Sequence, residues 1–112
     1  MEKIEKKNKS VIAAVLKEEK RLLKLIKLCE KNIESLPSGS LQKKHISNGE
    51  YIYMVYREDG KVKTQYLGVN DSVEVIKMKK KIELRNNYRD LKKNALLHLK
   101  KIQKILSMKG MD

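Results

Sequence analysis

The sequence predicts an α+β fold in a single domain, residues 1–112, in which two long helices form an antiparallel helical hairpin joined by a three-stranded antiparallel β-meander. Three observations predict it. A heptad-spaced apolar series fills the first third of the chain, two Asx-Gly dipeptides punctuate a middle rich in Tyr and Val, and a second apolar series fills the last third. The chain has no Phe or Trp and only five Tyr, so burial must come from Leu, Ile, Val and Met. That supply suits helices packed along aliphatic stripes better than a broad sandwich.

Helix 1 is expected over about residues 3–35. Its seam runs Ile12, Val15, Glu19, Leu22, Ile26, Cys29, Ile33, Leu36, in alternating steps of three and four, with Leu16, Leu23 and Leu25 widening the stripe. Pro37, followed by Ser38 and Gly39, ends it, because proline has no amide hydrogen to donate. The period then changes. Asn48-Gly49 and Asp59-Gly60 tolerate the positive φ of a type I′ turn, which gives strands at about 40–47, 50–58 and 61–68. Alternation places Ile46, Tyr51, Tyr53, Val55, Val62 and Tyr66 on one face with Lys44 and Arg57, and Leu41, Ile52, Met54, Tyr56 and Leu67 on the other with Lys43, His45 and Lys63. Neither face is cleanly polar, so the sequence leaves open which one packs inward.

Asp71 with Glu74 has capping-box spacing, Ser72 being a competing cap, and opens helix 2 over about residues 73–108. Its seam reads Leu84, Tyr88, Leu91, Ala95, His98 or Leu99, Ile102, Leu106. The two seams fit each other within one chain, and coiled-coil pairing with a second copy as a homodimer would satisfy them equally.

Charge separates the segments. The whole chain carries net +13, with ten basic and six acidic residues in 1–36, five and four in 37–72, and twelve and four in 73–112. Helix 2 is the basic element, and no acid follows Asp90 until Asp112. Lys92, Lys93, Lys100, Lys101 and Lys104 are the expected phosphate contacts, with Lys109 beyond them and Lys77, Lys79, Lys80 and Lys81 upstream. The competing reading is a solvated face, since these lysines spread around the helix opposite the seam. On the sheet, Tyr51, Tyr53 and Tyr66 beside Lys44 and Arg57 suit stacking on bases or lining a groove, and Lys63 is counted with them.

Most catalytic chemistries lack their residues. His45 and His98 lie more than 50 positions apart with no Cys pair, so no metal is expected. Cys29 occupies a seam position and reads as a buried thiol, while Ser38-Gly39-Ser40 reads as a helix break and not an anion cradle. Glu18 and Glu19 sit among charges, with Lys17 and Arg21 as surface ion partners. No catalytic residue and no cofactor is expected, and the chain does not read as an enzyme. One cysteine, an N-terminus MEKIEKKNKS without an apolar core, and a longest apolar run of Val11–Leu16 predict a cytoplasmic protein that does not cross a membrane. The expected partner is nucleic acid or an acidic protein surface.

The stretch LPSGSLQKKHISNGEYIYMVYREDGKVKTQYLG, with Gly39-Ser40-Leu41, Tyr51-x-Tyr53, Gly60-Lys61 and Tyr66-Leu67-Gly68, resembles a small uncharacterised bacterial domain. The likeness covers roughly residues 36–107 and extends to hairpins near the start of some transposases and other mobile-element proteins. It implies a mobile-element or phage setting and DNA contact. Some relatives carry clustered cysteines in the first hairpin, where this chain has His45-Ile46-Ser47-Asn48-Gly49. In shape alone the meander is similar to the arm-binding sheets of tyrosine recombinases. Together these features predict a small basic nucleic-acid-binding protein. The alternative is an interaction protein or phage-type inhibitor acting through its helical seams.

Overall fold

The computed structural model describes residues 2–108, with side chains from Ser10 onward. The order is α1 (Glu2–Ser35), β1 (Ser40–Ile46), β2 (Gly49–Glu58), β3 (Lys61–Val69) and α2 (Val73–Met108). This corrects the expected fold class. The chain is a helix, a three-stranded antiparallel meander and a second helix, and it divides into two compact units instead of closing as one helical hairpin. One unit takes the chain up to Lys31 and from Arg89 onward; the other is Asn32–Tyr88. The end of α1 and the first half of α2 therefore belong with the sheet.

In the helical unit the core is Leu22, Ile26, Ala95, Leu99, Ile102 and Leu106, with Val15, Leu16 and Leu25 packed against it and Cys29 fully buried. Each such Leu or Ile contributes about 1.5–3 kcal/mol of burial. The seam of α1 holds at these positions, but Leu23 is exposed and does not widen it.

The seam of α2 differs from the expectation. Leu84 and Leu91 are exposed, while Arg85 and Lys92 take the half-buried positions seven residues apart, in register with Ala95, Leu99, Ile102 and Leu106. Both side chains are half-buried, and long aliphatic stems let such residues occupy partly buried positions. His98 is exposed, so Leu99 is the seam residue. In the sheet unit Tyr88 is half-buried and Ile33 is likewise half-buried near the end of α1.

The sheet has the order β1-β2-β3. The first turn is Ser47-Asn48, not Asn48-Gly49: Ser47 carries the positive φ (55°), Gly49 begins β2, and Ile46 pairs with Gly49. The second turn is Asp59-Gly60, with φ of 52° and 77°. Because the first turn moves by one residue, each pairing moves by two, and every side chain keeps its expected face. Ile52 and Met54 are buried, so their face packs inward together with the fully buried Val75 of the same unit.

A register shift between Ile52 and Tyr53 sets Ile52 opposite Gly68 while Tyr53 stays opposite Tyr66. Beyond β3, Ser72 and not Asp71 caps α2. The Val75 amide donates to Ser72 Oγ (3.4 Å) and the Ile76 amide to the Ser72 carbonyl (3.0 Å), while Asp71 sits in the left-handed region (φ 68°).

Candidate functional site

The sheet unit exposes its tyrosine face. Register places Lys44, Ile46, Tyr51, Tyr53, Val55, Arg57, Val62, Thr64, Tyr66 and Val69 on it. Ile46, Val62, Tyr66 and Val69 are each at least half exposed, at 51%, 63%, 50% and 52%. Ile46, Tyr51, Tyr53 and Tyr66 border an open depression of about 270 Å³. That is smaller than the ~300–1,000 Å³ of enclosed small-molecule sites, and the depression lies open on the sheet surface. The Tyr53 and Tyr66 rings are 5.3 Å apart at 58°, and Tyr51 and Tyr66 are 6.3 Å apart at 49°, in tilted arrangements favoured by the ring quadrupoles. Lys44 Nζ stands 4.6 Å from the Tyr53 centroid, within cation–π range.

The two carboxylates of the strands lie on the other face, and both are paired. Glu50 meets Lys43 at 3.3 Å and His45 at 3.7 Å, and Glu58 meets Lys63 at 3.3 Å. Asn70 Nδ2 donates to Glu50 Oε2 (2.8 Å), and the Asn70 amide donates to the Glu50 carbonyl (3.0 Å). The Asn70 and Lys43 hydrogen bonds hold the Glu50 carboxyl below its ordinary range. The tyrosine face thus carries two cations, Lys44 and Arg57, and no strand carboxylate. Lys63 does not belong with the tyrosines: it sits on the Ile52 and Met54 face, neutralised by Glu58.

The helical unit holds the other expected residues. Lys93, Lys100, Lys101 and Lys104 are exposed, and no carboxylate among the described residues lies within ion-pair distance of them. Lys93, Lys100 and Lys104 are spaced by seven and four, which puts them on one side of α2. Lys92 is different, half-buried and 3.6 Å from Glu30. Glu18 accepts from Arg21 Nε at 2.9 Å, which lowers the Glu18 carboxyl and raises the Arg21 guanidinium, and His98 lies 4.0 Å away. Lys109 lies outside the described residues. By sequence, this unit carries seventeen basic and seven acidic residues and the sheet unit ten and seven.

Two features had no sequence signal that singled them out. Arg85 Nε is buried with no hydrogen-bond partner, and a second open depression of about 380 Å³ is bordered by Leu41, Lys79, Ile82 and Glu83. Among the described residues there is no group of His, Cys, Asp and Glu that would hold a metal ion, and no helix long and apolar enough to cross a membrane.

These features define a small helix–meander–helix protein with an exposed aromatic and cationic sheet face. Residues 14–77 match the model of a family described as Domain of unknown function (DUF6788), and the chain belongs to that family. The match starts within α1 and ends just inside α2, whereas the resemblance read from the sequence began at about residue 36 and ran on to 107. The uncharacterised-domain part of that resemblance stands; the family description carries no mobile-element link. No curated protein and no solved structure is significantly similar to the chain.

Proposed function

We propose that this protein binds nucleic acid without acting on it as an enzyme, in the cytoplasm and in a mobile-element or phage setting. Exposed lysines of α2 hold the phosphate backbone, and the tyrosine face of the sheet is the second contact. The observation that carries this reading is the set of Lys93, Lys100, Lys101 and Lys104, all exposed and none paired with a carboxylate among the described residues. A merely solvated helix face is ordinarily laced with acids at i,i+4 spacing; here no acid lies between Asp90 and Met108. Lysines contacting phosphate give affinity with little choice of sequence.

Fluorescence anisotropy of labelled duplex and single-stranded DNA and RNA, over a salt series starting near ~50 mM, tests it. Micromolar or tighter binding that persists near physiological salt supports the reading. Binding that vanishes by that salt overturns it.

A protein that grips a partner or a second copy is the rival, favoured by the exposed Leu96, Leu97 and Ile105 on α2. A concentration-independent monomer in sedimentation removes self-association.

A further inference from the structure

We propose that the tyrosine face is a stacking platform for the unpaired bases of single-stranded DNA, with Tyr66 as its principal ring. This rests on the nucleic-acid reading and assigns the form of ligand that the sheet selects.

Packing accounts for only part of the face, where Tyr51, Tyr53 and Val55 are half-buried. The inward side of the sheet is the one bearing Ile52 and Met54, yet the opposite side shows Ile46, Val62, Tyr66 and Val69 at half exposure or more. An antiparallel sheet with one face in water ordinarily alternates apolar inside and polar outside. Here the solvent side is apolar and aromatic.

Charge indicates the occupant. The strand carboxylates Glu50 and Glu58 are both on the inward side and both neutralised, which leaves Lys44 and Arg57 on the tyrosine side with no acid among the strand residues. A surface that combines exposed rings with unopposed cations complements a ligand that has flat apolar faces and a negative backbone. An acidic helix offers the charge without the flat faces. Duplex DNA keeps its base faces stacked inside, so the rings would meet only its edges and backbone.

The arrangement of rings fits this ligand. Tyr66 is tilted by 49° and 58° to its two neighbours, so the rings border the depression instead of stacking on one another. Lys44 stands over Tyr53, leaving Tyr66 and Tyr51 to receive bases while its ammonium lies within reach of the backbone. The residues bordering the depression are Ile46 and three tyrosines, whose only polar side-chain atoms are phenolic hydroxyls. The aliphatic side chain of Ile46 beside the rings suits the thymine methyl and deoxyribose.

The test uses the full chain, a dT strand of about 15 nucleotides, its duplex with dA and the matching rU strand. Tyrosines are the only fluorophores, so quenching of their emission reports stacking directly. The dT strand should bind more tightly than the duplex and quench emission. Tyr66→Ala should weaken dT binding by roughly 5- to 150-fold, the span expected for one lost stack, while Tyr66→Phe should keep it. Neither change should alter duplex binding more than about twofold, since the lysines supply that term. A circular-dichroism melt checks that both variants fold, and Tyr51→Ala gives a second ring.

Unchanged dT binding in both alanine variants would overturn the proposal, as would equal or tighter binding of rU. If all forms bind alike and the lysines alone set the salt dependence, stacking fails and nucleic-acid binding stands. If no form binds at low salt, both readings fail.

Discussion

Replacing Lys93, Lys100 and Lys104 with Gln tests the role of α2 quantitatively. The three share one side of the helix and none is paired among the described residues, so a backbone following that side meets all three. Each neutralised phosphate contributes about 0.7 to the slope of log affinity against log salt for a single strand and about 0.9 for a duplex. Losing three contacts should flatten the slope by ~2 and ~2.7 respectively. Lys92 supplies an internal control, because its side chain is half-buried and its ammonium lies 3.6 Å from Glu30. Lys92→Gln should change the slope by well under one contact, whereas Glu30→Gln, which frees Lys92, should steepen it by up to one. Anisotropy titrations at four or more salt concentrations read these slopes directly. An unchanged slope in the triple variant would remove α2 from the account, and a Lys92→Gln effect as large as Lys93→Gln would show that the Glu30 pair does not neutralise it.

Three further outcomes concern the scaffold. Gly68→Ala should destabilise by about 2–4 kcal/mol in a denaturant melt, because φ there is +153° and a Cβ would stand 2.8 Å from Ser72 Oγ, disturbing the cap of α2. A loss within error would show that the backbone relaxes freely. Arg85→Met should raise stability by about 1 kcal/mol, since it keeps the aliphatic stem and removes a buried nitrogen without a partner; a lowered melting temperature would reveal bonds made by the other guanidinium nitrogens. Glu50 is held below its ordinary pKa by Asn70 and Lys43, so its stabilising contribution is present above the ordinary value of 4.5 and is lost as pH falls through the depressed one. The melting temperature should therefore fall on acidification in that window, modestly because the carboxylate is exposed, and Glu50→Gln should shrink the fall; an identical pH profile in the variant would refute the link.

The parts of the fold that were legible rest on local chemistry. Asp59-Gly60 needs positive φ at both positions and has it, and the alternation around it fixed which side chains share a face. Asn48-Gly49 is the stronger turn signal by composition, yet the first turn falls one residue earlier, at Ser47-Asn48. Gly49 is used in the strand instead, where a Cβ would stand 2.7 Å from the Tyr51 hydroxyl. On α2, apolar spacing selected Leu84 and Leu91, while packing extends the register of Ala95 and Leu99 back through Lys92 and Arg85. A binary pattern scores those two as polar and misses that long aliphatic stems let them occupy half-buried positions. The division into two units was not legible, because uninterrupted periodicity in both helices reads as one continuous pairing. At the site, alternation grouped the three tyrosines. It leaves their exposure open because both faces carry apolar residues; Ile52 and Met54 are buried on the other face, Tyr66 is exposed, and Tyr51 and Tyr53 are half-buried.

The β-bulge connects the scaffold to the site. If β3 continued from the Tyr53–Tyr66 pair without the shift, Leu67 would face Ile52 and Gly68 would fall on the tyrosine side. The extra residue instead brings Gly68 opposite Ile52 on the inward face, the position Ser72 approaches as it caps α2, and returns Val69 to the tyrosine face opposite Tyr51. Within Tyr66-Leu67-Gly68, then, the last two residues serve the turn from sheet to helix, Leu67 as the inserted residue and Gly68 as the one that leaves room. Tyr66 instead meets the rings of Tyr53 and Tyr51. Its cross-strand pairing with Tyr53 contributes only about 0.2–1 kcal/mol, and half of its surface remains in water. The fold accounts for the Leu and Gly of this motif, and the half-exposed ring of Tyr66 is where the proposed base would stack.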